Sequence, residues 1–99
     1  MEKIKHIGII GRLWWKPTGR HHLHSAEIFV NGERVAKIHG TGGDRQFEND
    51  AVEWLMRNGY LPTHDKEGRK LSPYVHVAAH ELGFTYNTEA ITVPRKKDL

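Results

Sequence analysis

The sequence predicts one α+β domain of two layers: a mostly antiparallel sheet with two helices on one face, in the order β-β-β-α-α-β. Three observations lead there. The chain opens on a β-branched and aromatic run, Asn31-Gly32 joins two strand-like segments, and two stretches with apolar residues at helical spacing precede a last strand-like run. The 99 residues are enough for one modest core.

Residues 3 to 15 hold Ile4, Ile7, Ile9, Ile10, Leu13, Trp14 and Trp15 with no helix caps nearby, so they read as a long first strand. Gly8 and Gly11 within it suggest a bulge, or a point of close approach by another group. Pro17-Thr18-Gly19 ends it in a tight turn. A second strand runs from Arg20 to Val30. Asn31-Gly32 then signals a two-residue type I′ hairpin, because both central positions of that turn need positive φ. This register puts Val30 opposite Glu33, Ile28 opposite Val35, Ala26 opposite Lys37 and His24 opposite His39. One hairpin face then carries His22, His24, Ala26, Ile28, Val30, Val35, Lys37 and His39. The other carries Leu23, Ser25, Glu27, Phe29, Arg34, Ala36 and Ile38, with Glu27 diagonal to Arg34.

Phe47, Ala51, Trp54 and Leu55 fall at i, i+4, i+7 and i+8, which predicts an amphipathic helix over 45–58 whose apolar stripe covers the sheet. Asp44 is the expected N-cap, and Asn58-Gly59 the left-handed stop. Residues 62–71 are polar and charged and form an exposed loop. Ser72-Pro73 opens a second helix, which Gly83 closes and whose buried stripe is Val75, Ala78, Ala79 and Leu82. Residues 84–93 read as the last strand, and residues 95–99 as a basic tail.

The formal charge is +3 with eight histidines counted neutral, and both ends of the chain are cationic. Lys3, Lys5, Arg12, Lys16 and Arg20 stand against Glu2, and Arg95-Lys96-Lys97 against Asp98. That distribution favours a polyanionic partner. The absence of cysteine excludes disulfides and thiolate metal sites. No apolar run approaches the roughly 20 residues of a membrane span, and no secretory apolar region follows the first residues. A cytoplasmic protein with no membrane partner is expected.

The chemistry-bearing residues are concentrated between Gly11 and Ser25, where two of the three tryptophans stand among arginine, lysine and histidine. Aromatic planes beside guanidinium and imidazole groups suit a base and its phosphate, with stacking worth about 1–3 kcal/mol per base. Trp14 and Trp15 point to opposite faces of a regular strand, so one of them is available to a ligand. Arg12, Trp14, Trp15, Lys16, Arg20, His22 and His24 are the candidate contacts. Across the expected register His39 joins them. Gly42, Gly43 and Arg45, at the start of the first helix, add amides and a guanidinium for phosphate. The Gly40 to Asp44 loop lacks the lysine and hydroxyl residue of a P-loop, so a nucleoside triphosphate site is unsupported.

His22, His24 and His39 offer the alternative of a three-histidine divalent-metal site. Residues 77–84 resemble the zinc helix of matrix-type metalloproteases, but Phe84 stands where the second histidine is needed; His76 and His80, four apart, remain as a pair. Two wider resemblances arise. Ser25 to Leu61 resembles the second half of a double-stranded RNA-binding domain. In that family the helix opens with lysines, whereas here Asp44, Arg45, Gln46, Phe47 and Glu48 stand there, so no RNA contacts carry across. Nearly the whole chain is similar to small uncharacterised proteins of tailed bacteriophages, through Gly11-Arg12-Leu13-Trp14-Trp15, the Gly19 to Ser25 turn, Ile28-Phe29-Val30-Asn31-Gly32-Glu33, the glycine-rich stretch before Gln46-Phe47, and Arg95-Lys96-Lys97-Asp98-Leu99.

The phage resemblance implies a context of handling phage nucleic acid, or of binding host factors or nucleotides to blunt defence. The resulting expectation is a non-enzymatic module, without cofactor, that binds nucleic acid or a small nucleotide signal as a phage accessory or anti-defence protein in the host cytoplasm. The alternatives are an inhibitor or adaptor of a host protein, with a homo-oligomer left open, and third a histidine-ligated metal hydrolase.

Overall fold

The computed structural model describes residues 3–15, 22–43 and 45–99. Four strands, β1 (His6–Trp15), β2 (His22–Val30), β3 (Glu33–Gly42) and β4 (Thr85–Thr92), form one sheet, with α1 (Gln46–Arg57) and α2 (Val75–Leu82) between β3 and β4. The spatial order is β3-β2-β1-β4. The β1/β2 and β2/β3 pairs are antiparallel, while the helical connection brings β4 back beside β1 in parallel. The expected α+β architecture and its element order are present.

Ile7, Ile9 and Leu13 of β1 and Ala26 and Ile28 of β2 meet Phe47, Ala51, Val52 and Leu55 of α1 and Val75, Ala78 and Ala79 of α2 in one core. Trp54, expected in the α1 stripe, is half-buried and stacks on Tyr60, and Val52 takes the inner position. Leu82 likewise packs at the core's margin rather than inside it. Gly11 marks a close approach, as its position in β1 suggested: a Cβ there would lie 2.5 Å from the Phe47 ring. The bulge considered at Gly8 and Gly11 is absent, since β1 pairs with β2 continuously from Ile7 to Trp15.

The helix starts differ from expectation. Arg45 occupies the N-cap position of α1, and Asp44 lies outside the described residues. Tyr74 is the N-cap of α2 without a side-chain bond, so Ser72-Pro73 precede the helix instead of capping it. The ends follow the glycine signals, with Gly59 and Gly83 in the left-handed region. Residues 62–71 are mostly exposed but ordered by Asp65, whose Oδ1 accepts N–H bonds from Glu67 and Arg69, both at 2.9 Å. Those amides, Arg69's foremost, hold the Asp65 carboxyl below its ordinary range.

Asn31 and Gly32 take the two positive φ values of the hairpin turn, and Val30 pairs with Glu33. The expected register then fails after one further pair. A bulge at Val35 moves the ladder by one residue, so Ile28 faces Ala36, Ala26 faces Ile38 and His24 faces Gly40, in place of Val35, Lys37 and His39. Burial explains the correction. An unbroken ladder would drive Lys37 and His39 under α1 and turn Ala36 and Ile38 outward; one extra residue reverses both. Beyond β4 the basic tail forms a short 3₁₀ turn, Lys96–Asp98, and Lys37 Nζ donates to the Leu99 carbonyl at 3.2 Å. Since β3 and β4 are opposite edges, the tail folds back across the sheet face that the helices leave open.

Candidate functional site at the Trp15 end of the sheet

Alternation along β1 and β2 sends Leu13, Trp15, His22 and His24 to the helix-covered face. Register puts Trp15, His22 and Gly42 in one row at the end of the sheet, with Leu13, His24 and Gly40 in the next row inward. The first turns of α1 lie over these rows. Both imidazoles are fully buried, His22 and His24 each at 0% exposure.

The two rings and an acid from α1 form a chain of hydrogen-bonded groups. His24 Nε2 lies 2.8 Å from Asp50 Oδ2, His24 Nδ1 lies 3.3 Å from His22 Nε2, and Gln46 Nε2 donates to Asp50 Oδ1 at 2.8 Å. Glycine makes the approach possible. A Cβ on Gly40 would lie 2.6 Å from Asp50 Oδ2 and 2.8 Å from His24 Nε2, and one on Gly42 would lie 2.7 Å from Gln46. Trp15 closes the outer end edge-on against His22, with ring centroids 4.7 Å apart, while Phe47 walls the inner side of His24. The Thr41 hydroxyl donates to the His22 carbonyl at 2.9 Å.

The Asp50 carboxylate accepts from His24 Nε2–H, which leaves His24 Nδ1 to accept from His22 Nε2–H when both rings are neutral, so the acid from α1 orients both imidazoles in turn.

The open face carries a second polar cluster. The Arg12 guanidinium donates to Glu27, and Arg34 approaches the same carboxylate at 3.6 Å. The Arg12 hydrogen bond, ahead of the nearby cationic charges, holds the Glu27 carboxyl below its ordinary range.

The candidate contacts are therefore divided. Trp15, His22, His24, Gly42, Gly43 and Arg45 gather at one end of the helix face, where Trp15 and Arg45 are exposed and the histidines are not. Arg12 and Trp14 lie on the other face, and Arg12 is engaged by Glu27. Lys16 and Arg20 are outside the described residues. His39 pairs with Ser25 and is exposed on the open face, so His22, His24 and His39 do not converge. The displacement is the bulge at Val35. Among the described residues no three histidine or acidic side chains are placed to hold a metal ion. His76 and His80 are exposed on α2.

No protein-family model, curated protein or solved structure matches the chain.

Asp50, Gln46, Gly40 and Phe47 are not among the candidate contacts that the sequence offers, where Phe47 stands only in the apolar stripe of the first helix and Gly40 only in the glycine-rich loop. Gln46 and Asp50 are four apart on the side of α1 that meets β2 and β3, which is a usable signal only once His24 is known to sit beneath them. The histidines gave a clearer one. Their alternation with Ala26 and Ile28 places them on the core face, where imidazoles need polar partners from the covering helix.

Proposed function

We propose that this protein is a non-enzymatic binding module for a small phosphate-bearing nucleotide, which it takes at the Trp15 end of the sheet. The observation that carries the reading is an exposed indole, Trp15 at 41%, seated edge-on against a buried pair of imidazoles that Asp50 of α1 holds in place. Trp15 stacks the base. Arg45, at the exposed start of α1, supplies a cation for the phosphate, and the sequence adds Lys16 next to Trp15 and Arg20 two residues before His22, both outside the described residues.

A small ligand is favoured over a long polyanion. On the open face Arg12 and Arg34 are turned to Glu27, and Lys37 to the chain's own C-terminal carbonyl, which leaves little continuous cationic track. Read with the resemblance to tailed-bacteriophage proteins, such a module would serve as an accessory or anti-defence protein in the cytoplasm of an infected host. Inhibition of a host protein through the same exposed Trp15 is the second reading.

The test is titration with AMP and with a short single-stranded DNA, followed by tryptophan fluorescence and heteronuclear NMR at two salt concentrations. The expected result is saturable, weakly salt-dependent binding of AMP that Trp15→Ala reduces at least ~10-fold, with Arg12→Ala close to neutral. Steeply salt-dependent binding of DNA alone would replace the nucleotide with nucleic acid. Absence of binding to both, or binding indifferent to Trp15→Ala, would remove the reading.

A further inference from the structure

The sheet has two edges of opposite character. The outer edge of β3 carries Arg34 and Lys37 and is interrupted by the bulge at Val35, devices that discourage pairing with another strand. β4 has neither. Thr85-Tyr86-Asn87-Thr88-Glu89-Ala90-Ile91-Thr92 contains a single charged residue, no proline and no bulge against β1, and nearly all of it is exposed.

The backbone of β4 is aimed in a definite way. Thr85 donates to Lys5 O and Val93 to Leu13 O, so the odd-numbered residues face β1. The N–H and C=O groups of Tyr86, Thr88, Ala90 and Thr92 therefore point away from the sheet, and among the described residues they make no other backbone hydrogen bond. Side chains repeat the pattern. Of the four exposed large hydrophobics among the described residues, Trp15, Tyr74, Tyr86 and Ile91, two are on β4 and lie on its opposite faces, as a strand laid alongside would cover them.

We propose that β4 is a self-association edge, and that a second copy of this chain pairs with it antiparallel about a two-fold axis at Thr88, making one eight-stranded sheet across the dimer. A two-fold axis perpendicular to the sheet keeps each face on its own side, so only residues of equal parity can pair. With Thr88 opposite its own copy, Tyr86 meets Ala90 and Asn87 meets Glu89 of the second copy. Thr85 comes opposite Ile91. The outward amides of Thr88 and its equivalent then exchange both hydrogen bonds.

Charge selects this register. Centring on Glu89 would oppose two carboxylates. Centring on Thr88 puts each carboxylate beside Asn87, whose Oδ1 already lies 2.6 Å from His6 Nε2, which orients the amide nitrogen as a donor. Asn87 and Glu89 form the closer, non-hydrogen-bonded type of pair, within reach of a side-chain bond. The same edge would accept a strand of another protein, but the match of Asn87 to Glu89 and of Tyr86 to Ala90 favours the chain itself.

Sedimentation equilibrium of the full chain is the test, with a Kd of about 1–100 μM expected for so small an interface. Thr88→Pro removes an amide that the β1 ladder does not use, so the monomer should stay folded by circular dichroism while self-association weakens at least ~10-fold. Because the chain has no native cysteine, Thr88→Cys should form a disulfide dimer under mild oxidation, while Glu89→Cys should not. A wild-type chain that stays monomeric to about 1 mM, a folded Thr88→Pro that dimerises unchanged, or stronger cross-linking through Glu89→Cys would each overturn the proposal.

Discussion

Strand β2 holds two polar clusters on its two faces, and they differ in what surrounds them. On the helix face, His22 and His24 are fully buried and meet Asp50 from α1 across the close approach that Gly40 allows. On the open face, Glu27 meets Arg12 and Arg34 from its two neighbouring strands, with both arginines reaching solvent. Only the first cluster needs a helix docked in one position to exist; the second is made by strand alternation and pairing alone. Removing a partner from the first leaves desolvated groups behind, whereas water can replace much of what is lost in the second.

Four substitutions sharpen that contrast. Asp50→Ala should cost the most, about 2–3 kcal/mol by thermal or urea unfolding, because it leaves the fully buried His24 without its acid partner. Asp50→Asn, which keeps an acceptor, should recover part of the loss. Gly40→Ala should cost about 1–3 kcal/mol by forcing α1 away from β3, and the His24 ring signals should shift in NMR spectra even though no polar group is removed. A loss at Gly40 confined to the β3 amides, with His24 unmoved, would contradict the packing described.

Glu27→Gln should cost about 1 kcal/mol. Its pH dependence has a defined sign. Folding holds the Glu27 carboxyl below its ordinary value, so the associated stability is present above that value and is lost as pH falls through the lowered one. The gap between wild type and Glu27→Gln should therefore close on acidification below about pH 4. Deleting Val35 should be the mildest change, within about 1 kcal/mol, because Arg34 and Ala36 keep their partners Phe29 and Ile28 and the ladder becomes regular. Burial of Ile38, followed by amide exchange, should persist.

Much of the fold was legible because its signals are local. Asn31-Gly32 dictates a turn whose positive φ values few other residue pairs tolerate, the spacing of Phe47, Ala51 and Leu55 marks the inner side of α1, and Gly59 and Gly83 mark helix ends. The gathering of Trp15, His22 and Gly42 at one sheet end also follows from pairing. The bulge at Val35 was not legible. Its cause is the competition between Lys37 and Ile38 for the core face, which depends on where α1 lies. One residue of offset was enough to separate His39 from His24 and put Gly40 and Asp50 in its place.

The sequence by itself determined the element order, the hairpin turn and the alternation that sends His22 and His24 to one face and Glu27 to the other, because each depends on neighbours within a few positions or on the period of a strand. Only the tertiary structure decided that Asp50 supplies the buried partner, that Arg12 is held by Glu27, that the basic tail returns to Lys37, and that β4 lies at an uncovered edge. Those outcomes depend on how a helix and a strand dock after long connections, where burial and charge compensation act between residues that the sequence keeps far apart.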